Sequence, residues 1–150
     1  MNDYPREDKK IVLYLSDNST LSGLVNIVGR STFAIVEDSD PDIVVYDASS
    51  GEGKAYKTVL VSKKQVCWID AVDDREQKPD RGKWQKVTFK LTNGQEITGE
   101  VDIAGFERAS DYFRAYAGRF YEVYTYSPAD TRGNRLFVAS EHVIWRELVV

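Results

Sequence analysis

The chain has one histidine, His142, and one cysteine, Cys67. A serine or cysteine nucleophile needs a base within hydrogen-bond reach. These two residues therefore carry most of the nucleophilic chemistry the sequence offers. His142 falls in a turn ahead of a strand, where a solvated polar residue is expected. Cys67 stands between Val66 and Trp68 and reads as buried packing. Glu37, Asp38, Asp40 and Asp42 cluster around Pro41, and clustered carboxylates can hold Ca²⁺. The calcium-loop spacing, with its Gly and late Glu, is absent, so the cluster reads as a solvated acidic loop. Gly51-Glu52-Gly53-Lys54 resembles part of a phosphate loop, but the full spacing and the following helix are missing. It reads as a hairpin tip. The pattern for cyclic dinucleotides, an Arg pair ahead of an Asp/Asn-x-Ser-x-x-Gly strand, is not met, because Gly23 comes one position too late after Ser19. The expectation is no catalytic residue, no metal site, no cofactor and no enzyme.

The richest remaining stretch is 106–126. Arg108, Arg114 and Arg119 are interleaved with Tyr112, Phe113, Tyr116, Phe120, Tyr121, Tyr124 and Tyr126. Arginine with aromatic rings stacks on and neutralises single-stranded nucleic acid. The same residue types dominate protein-interface hot spots. They also close small β cores, with Arg108 and Asp111 as an internal ion pair. The candidate binding residues are Arg108, Asp111, Tyr112, Arg114, Tyr116, Arg119 and Tyr121.

The elements that must position these residues come from a duplication. Lys10, Leu15, Gly23, Val25 and Ile27 recur at a constant offset as Lys86, Leu91, Gly99, Val101 and Ile103. Val59 to Val61 and Val66 to Trp68 recur as Leu136 to Val138 and Val143 to Trp145, one residue further on. The chain of 150 residues is then two units of roughly 70 residues, each able to fold alone. Ile11, Leu13 and Leu15 alternate with Val12, Tyr14 and Ser16, the period of a strand. Asp17 to Thr20 and Asn93-Gly94 are hairpin turns. Leu21 to Val28 continues the first hairpin, and Gly23 and Gly99 mark a sharp bend in their strands. Third strands are expected at Ile43 to Tyr46 and Phe120 to Tyr126, followed by loops at Ser49 to Gly53 and Ser127 to Asp130. Fourth strands span Thr58 to Val61 and Arg135 to Val138. Fifth strands span Val66 to Ile69 and Val143 to Arg146. Val28 to Val36 reads as strand, whereas Phe106, Ala109, Phe113, Tyr116 and Ala117 fall at helical spacing. Residues 1–9 read as a mobile tail. Residues 10–70 and 85–150 form the two units, and the charged stretch 71–84 links them.

Net charge is −4, with the first half acidic and the second close to neutral. Neither half has the basic excess of a protein that lives on phosphate backbones. No apolar run reaches the ~20 residues that span a bilayer, and the N-terminal residues lack the apolar stretch of a signal peptide. A single cysteine makes no internal disulfide. The expectation is a cytoplasmic protein with no membrane contact.

This layout resembles the Sm-like barrel, a fold within the SH3-like class. Leu91-Thr92-Asn93-Gly94 through Gly99 matches the spacing of that family's first motif, and the first copy matches it with Asn18 in place of the first Gly. Val61-Ser62-Lys63-Lys64-Gln65-Val66 and Val138-Ala139-Ser140-Glu141-His142-Val143 match the second in length and apolar ends. The Arg108-Ala109-Ser110-Asp111 stretch is similar to one in small bacterial barrel domains. The family's RNA-clamping Asp and Asn fall at Gly105 and Ala109, and at Gly29 and Phe33. Its Arg-Gly falls at Ala139-Ser140 and Ser62-Lys63. The resemblance thus implies the scaffold without the family's uridine site. It also implies association by pairing strand four of one unit with strand five of the next. One such joint can form inside the chain, and three chains can close a six-barrel ring.

Together these readings predict an all-β protein of two tandem five-stranded Sm-like barrels, with a short helical turn in the second. It is expected to be a non-enzymatic binding or scaffolding protein that self-associates and recognises a protein partner. The alternative is single-stranded RNA binding by the Arg and aromatic surface of the second barrel.

Overall fold

The computed structural model describes residues 6–75, 78–125 and 133–149. The first half contributes β1 (Asp8–Leu15), β2 (Thr20–Asn26), α1 (Thr32–Glu37), β3 (Asp42–Ser50), β4 (Ala55–Ser62), a 3-10 turn (Lys63–Gln65) and β5 (Val66–Asp70). The second contributes β6 (Trp84–Leu91), β7 (Glu96–Asp102), α2 (Ala109–Ala115), β8 (Phe120–Thr125), β9 (Asn134–Ala139), a 3-10 turn (Ser140–His142) and β10 (Val143–Val149). The protein is all-β in character. The ten strands form one antiparallel sheet in the order β10-β6-β7-β8-β9-β5-β1-β2-β3-β4.

That order is two runs of the same pattern placed end to end. In each half the fifth strand lies beside the first, and the second, third and fourth follow. The registers repeat as well. Val12 faces Asp70, Leu13 faces Ile69 and Tyr14 faces Trp68, with a shift before Leu15 and Val66. In the second half Thr88 faces Glu147, Phe89 faces Arg146 and Lys90 faces Trp145, with the same shift before Leu91 and Val143.

The two expected five-stranded units are joined in one open sheet. β5 does not return to β4 of its own half. It pairs with β9 of the other, with Trp68 facing Val138, Ile69 facing Phe137 and Asp70 facing Leu136. The fourth-to-fifth-strand pairing therefore forms once, inside the chain, and leaves β4 and β10 as the two outer strands.

Side chains are exchanged across this joint. Cys67 of β5 is buried in the cluster of Val87, Phe89, Leu91, Val101 and Val123 of the second half. Phe120, Phe137 and Ala139 are buried in the cluster of Ile11, Leu13, Val25, Val45 and Ile69 of the first. Burying a phenylalanine such as Phe120 or Phe137 contributes about 1.5–3 kcal/mol, so neither core is complete without the other half.

The paired glycines explain the bends. A Cβ on Gly23 would lie 2.5 Å from Val45 Cγ1 and 2.8 Å from the Tyr46 carbonyl. One on Gly99 would lie 2.5 Å from Val123 Cγ1 and 2.8 Å from the Tyr124 carbonyl. In both halves the third strand crosses the second so closely that only hydrogen fits there. At the tips of the first hairpins, Asn18 and Gly94 both take positive φ, which these residue types tolerate.

The segment Val28 to Val36 corrects the sequence reading. It holds α1, not a strand. Ser31 caps the helix, its hydroxyl accepting from the Ala34 amide at 3.0 Å. Thr32 and Val36, one helical turn apart, share the buried face. Tertiary burial outweighs the β preference of Thr32, Ile35 and Val36. The helix expected in the second half forms as α2. Of the expected tail, residues 1–5 lie outside the described residues, while Asp8 and Lys9 are already in β1. The start of the linker is tied down. Ala71 is buried and donates to the Arg135 carbonyl at 3.0 Å, and Asp73 accepts from the Lys10 amide at 2.7 Å. Glu76, Gln77, Tyr126 and the expected loop at Ser127 to Asp130 lie outside the described residues.

Candidate functional site

The candidate chemical groups have structural occupations. The His142 imidazole accepts from the Thr92 hydroxyl at Nδ1 (2.7 Å) and donates from Nε2 to the Lys64 carbonyl (2.5 Å). Both ring nitrogens are engaged, and the second bond ties the second 3-10 turn to the first. Cys67 is fully buried, and burial pushes its thiol pKa up, away from the reactive thiolate. In the acidic loop the carboxylates serve the backbone. Asp38 Oδ1 accepts from the Asp40 amide and Asp40 Oδ1 from the Asp42 amide, each at 3.0 Å. Asp38 also receives the buried Lys63, whose ammonium lies 2.8 Å from Oδ1 and 2.9 Å from the Asp38 carbonyl. The Lys63 bond holds the Asp38 carboxyl below the usual carboxylate range. Among the described residues no group of three or more acidic, His or Cys side chains could hold a metal ion.

The seven candidate binding residues are divided between surface and interior. Arg108 and Asp111 form an exposed ion pair at 3.0 Å near the start of α2. Arg114 and Arg119 are exposed. Tyr121 is buried in the second-half cluster, where its hydroxyl accepts from Arg146 at 2.8 Å. Tyr121 also packs against Phe89, Phe113 and Tyr116 at centroid distances of 5.4, 5.4 and 4.5 Å. Tyr112 of α2 and Tyr116, the residue that follows the helix, are half-buried and lie side by side, 5.6 Å between ring centroids. The arginines face water while the rings turn inward. Helical spacing makes this division, because Tyr112 and Tyr116 are one turn apart and Arg114 lies between them.

Tyr112 and Tyr116 form one wall of a cavity of about 330 Å³ where the two halves meet. Phe33 of α1 reaches it from the first half. Trp84 at the start of β6 and Tyr124 of β8 make the opposite side, packed edge-to-face at 5.3 Å. Pro79, Asp102 and Glu122 complete the lining. The Tyr116 hydroxyl donates to the Phe120 carbonyl, and the Trp84 indole donates to the Pro79 carbonyl at 3.1 Å. Asp102 Oδ1 accepts from the Lys83 and Ala104 amides at 3.0 and 2.9 Å. Glu122 pairs with Arg135 at 3.1 Å. Burial, with smaller contributions from Tyr121, Asp102 and Glu122, pushes Tyr112 up to about 12. Tyr116 is raised for the same first reason, helped by Glu37 and Glu122. Two carboxylates thus border this space, Asp102 held by backbone amides and Glu122 paired with Arg135.

The sequence reading puts Glu37 in the solvated acidic cluster, whereas its side chain helps build this junction. One carboxylate oxygen accepts from the Arg119 amide at 2.7 Å and the other from the Phe120 amide at 2.9 Å. A helix of the first half thereby caps the first residues of β8. Gly118 leaves room for it, since a Cβ there would sit 2.6 Å from Glu37 Oε1. Nothing in the sequence marks this contact, because the partners are backbone amides far along the chain.

A second feature is the pair of outer strands. Beside β4 lies a shallow groove of about 570 Å³ that includes Leu15, Leu21, Tyr56, Val59, Leu60 and Val61. Leu60 is 64% exposed, and on β10 Ile144 and Trp145 are 59% and 43% exposed. Their counterparts at the internal joint are buried or half-buried: Phe137, Cys67 and Trp68.

No known protein family, curated protein or solved structure matches the chain. Among the described residues no helix is long and apolar enough to cross a membrane.

Proposed function

We propose that this chain is a non-enzymatic scaffolding protein of two Sm-like barrels that assembles through its outer strands and presents the joined surface to a protein partner. The observation that carries the reading is the β5–β9 joint. It is a working example of the contact that β10 of one copy would make with β4 of the next. The matching registers of the two halves give that contact a definite form. Trp145 would face Val61, Arg146 would face Leu60 and Glu147 would face Val59, as Trp68, Ile69 and Asp70 face Val138, Phe137 and Leu136. Ile144 would enter the groove beside Leu15 and Leu21, as Cys67 enters the second-half cluster. An unpaired strand edge with apolar side chains favours such addition.

The contact is head-to-tail, so it either closes into a ring or runs on as a fibre. Three copies supply the six units of a closed Sm-like ring. Among the described residues no ring stacks on Arg108, Arg114 or Arg119, which favours a protein partner over single-stranded RNA. The test is light scattering on the full chain over a range of concentrations, beside Ile144→Lys. A wild-type trimer with a monomeric variant supports the reading. A wild-type monomer at every concentration overturns it.

A further inference from the structure

The cavity at the meeting of the two halves has an unusual lining. Among the described residues, five of the eight that line it are aromatic, Asp102 and Glu122 supply carboxylates, and no lysine or arginine is part of it. We propose that it binds a weakly hydrated organic cation, a methylated ammonium or guanidinium head group. The proposal does not depend on outer-strand assembly.

Aromatic faces attract cations through their quadrupoles, most strongly when the cation sheds little water on entry. A bare ammonium is a compact, strongly hydrated charge and gives up much hydration on entering an aromatic pocket. A methylated ammonium or a guanidinium loses less and offers a larger surface to the rings. Two cations of the chain already lie against rings of this wall. Lys78 Nζ is 5.3 Å from the Trp84 centroid, and Arg135 Cζ is 5.0 Å from that of Tyr124. Lys78 also bonds Glu100, and Arg135 bonds Glu122. Two of the lining rings therefore already accept a cation. A volume of about 330 Å³ admits such a head group and part of its chain. Because Phe33 comes from the first half and Trp84, Tyr112 and Tyr124 from the second, the site exists only when the halves are joined.

The experiment compares choline with its neutral carbon isostere, 3,3-dimethylbutan-1-ol, by titration of the uniformly ¹⁵N-labelled full chain. The Trp84 indole signal, assigned by its loss in Trp84→Phe, should move on adding choline, while those of Trp68 and Trp145 stay. The isostere should bind about tenfold more weakly, the discrimination a desolvated cation–π site gives. Equal affinities would reduce the site to an apolar hollow and overturn the proposal. So would the absence of saturable binding by choline, or a shift centred on Trp68 or Trp145. Both affinities are measured on the wild-type chain, and should Trp84→Phe not fold, Trp68→Phe and Trp145→Phe assign the Trp84 signal by elimination. A peptide bearing one trimethyl-lysine then separates the sources. Tighter binding than choline identifies a modified protein side chain, and equal binding identifies a free small cation.

Discussion

The internal joint and the two outer strands are the same pair of surfaces, one satisfied and one not. At the joint, Phe137 is fully buried, Trp68 stacks on Tyr14 at 3.8 Å, and the Trp68 indole donates to Gln95 across the boundary at 2.7 Å. At the outer strands the equivalent Leu60 is largely in water and Trp145 is partly so. The backbone pattern is the same in both places, and only the neighbour differs. The difference teaches that each five-stranded half leaves apolar surface at both of its edges, and that folding satisfies one such pair within the chain.

Breaking the joint should cost most. Phe137→Ala should destabilise the chain by about 3–5 kcal/mol, the usual cost of emptying a large core site. Leu60→Ala, its counterpart, should change the monomer by less than about 0.5 kcal/mol. Urea denaturation of both variants checks the contrast, and equal losses would contradict it. Next in size is the interlock made by the first helix. Glu37→Ala leaves the Arg119 and Phe120 amides without their acceptor and should cost about 1–3 kcal/mol. Thermal melts measure the loss, and Glu37→Gln should recover part of it.

Two titrating groups sharpen the comparison further. Asp70 sits in the joint with one carboxylate oxygen buried and without a hydrogen-bond partner, and burial raises its pKa. A raised carboxyl favours the protonated fold, so its contribution is best below about pH 4 and worsens as pH rises through the folded value. Asp70→Asn should therefore raise the melting temperature at neutral pH. Glu147, its outer-strand counterpart, is exposed, and Glu147→Gln should leave the melting temperature of the monomer unchanged. Asp38 has the opposite sign. Its pKa is lowered by the Lys63 bond, so its contribution is present above about pH 4 and is lost as pH falls through the folded value. Asp38→Asn should lower the melting temperature at pH 7 and flatten its fall on acidification.

Much of the strand framework was legible because the repeat reports it twice. Gly23 with Gly99, and Asn18 with Asn93-Gly94, locate equivalent bends and turns without an alignment. The continuation of one sheet across the halves was legible only through the resemblance, which implied such a joint inside the chain, because β5 carries the same alternation whether its neighbour is β4 or β9. α1 was hidden by its β-branched residues, which favour a strand until Ser31 and the burial of Val36 decide otherwise. At the cavity, Tyr112 and Tyr116 could be picked out by composition. Phe33, Trp84 and Tyr124 could not be joined to them, since their meeting depends on the two halves docking. The split of the 106–126 patch into inward rings and outward arginines follows from α2, whose helical spacing was visible in Phe106, Ala109 and Phe113.

The central claim is that β10 of one copy joins β4 of the next in the register of β5 and β9. Facing Cα atoms in an antiparallel pair are about 4.5–5.5 Å apart, within disulfide reach. The direct measurement is oxidation of the full chain carrying Leu60→Cys and Arg146→Cys, read by non-reducing electrophoresis, beside Leu60→Cys with Leu148→Cys. The account predicts disulfide-linked multimers from the first pair and monomer from the second. Multimers from the second pair alone, or monomer from both, would contradict it.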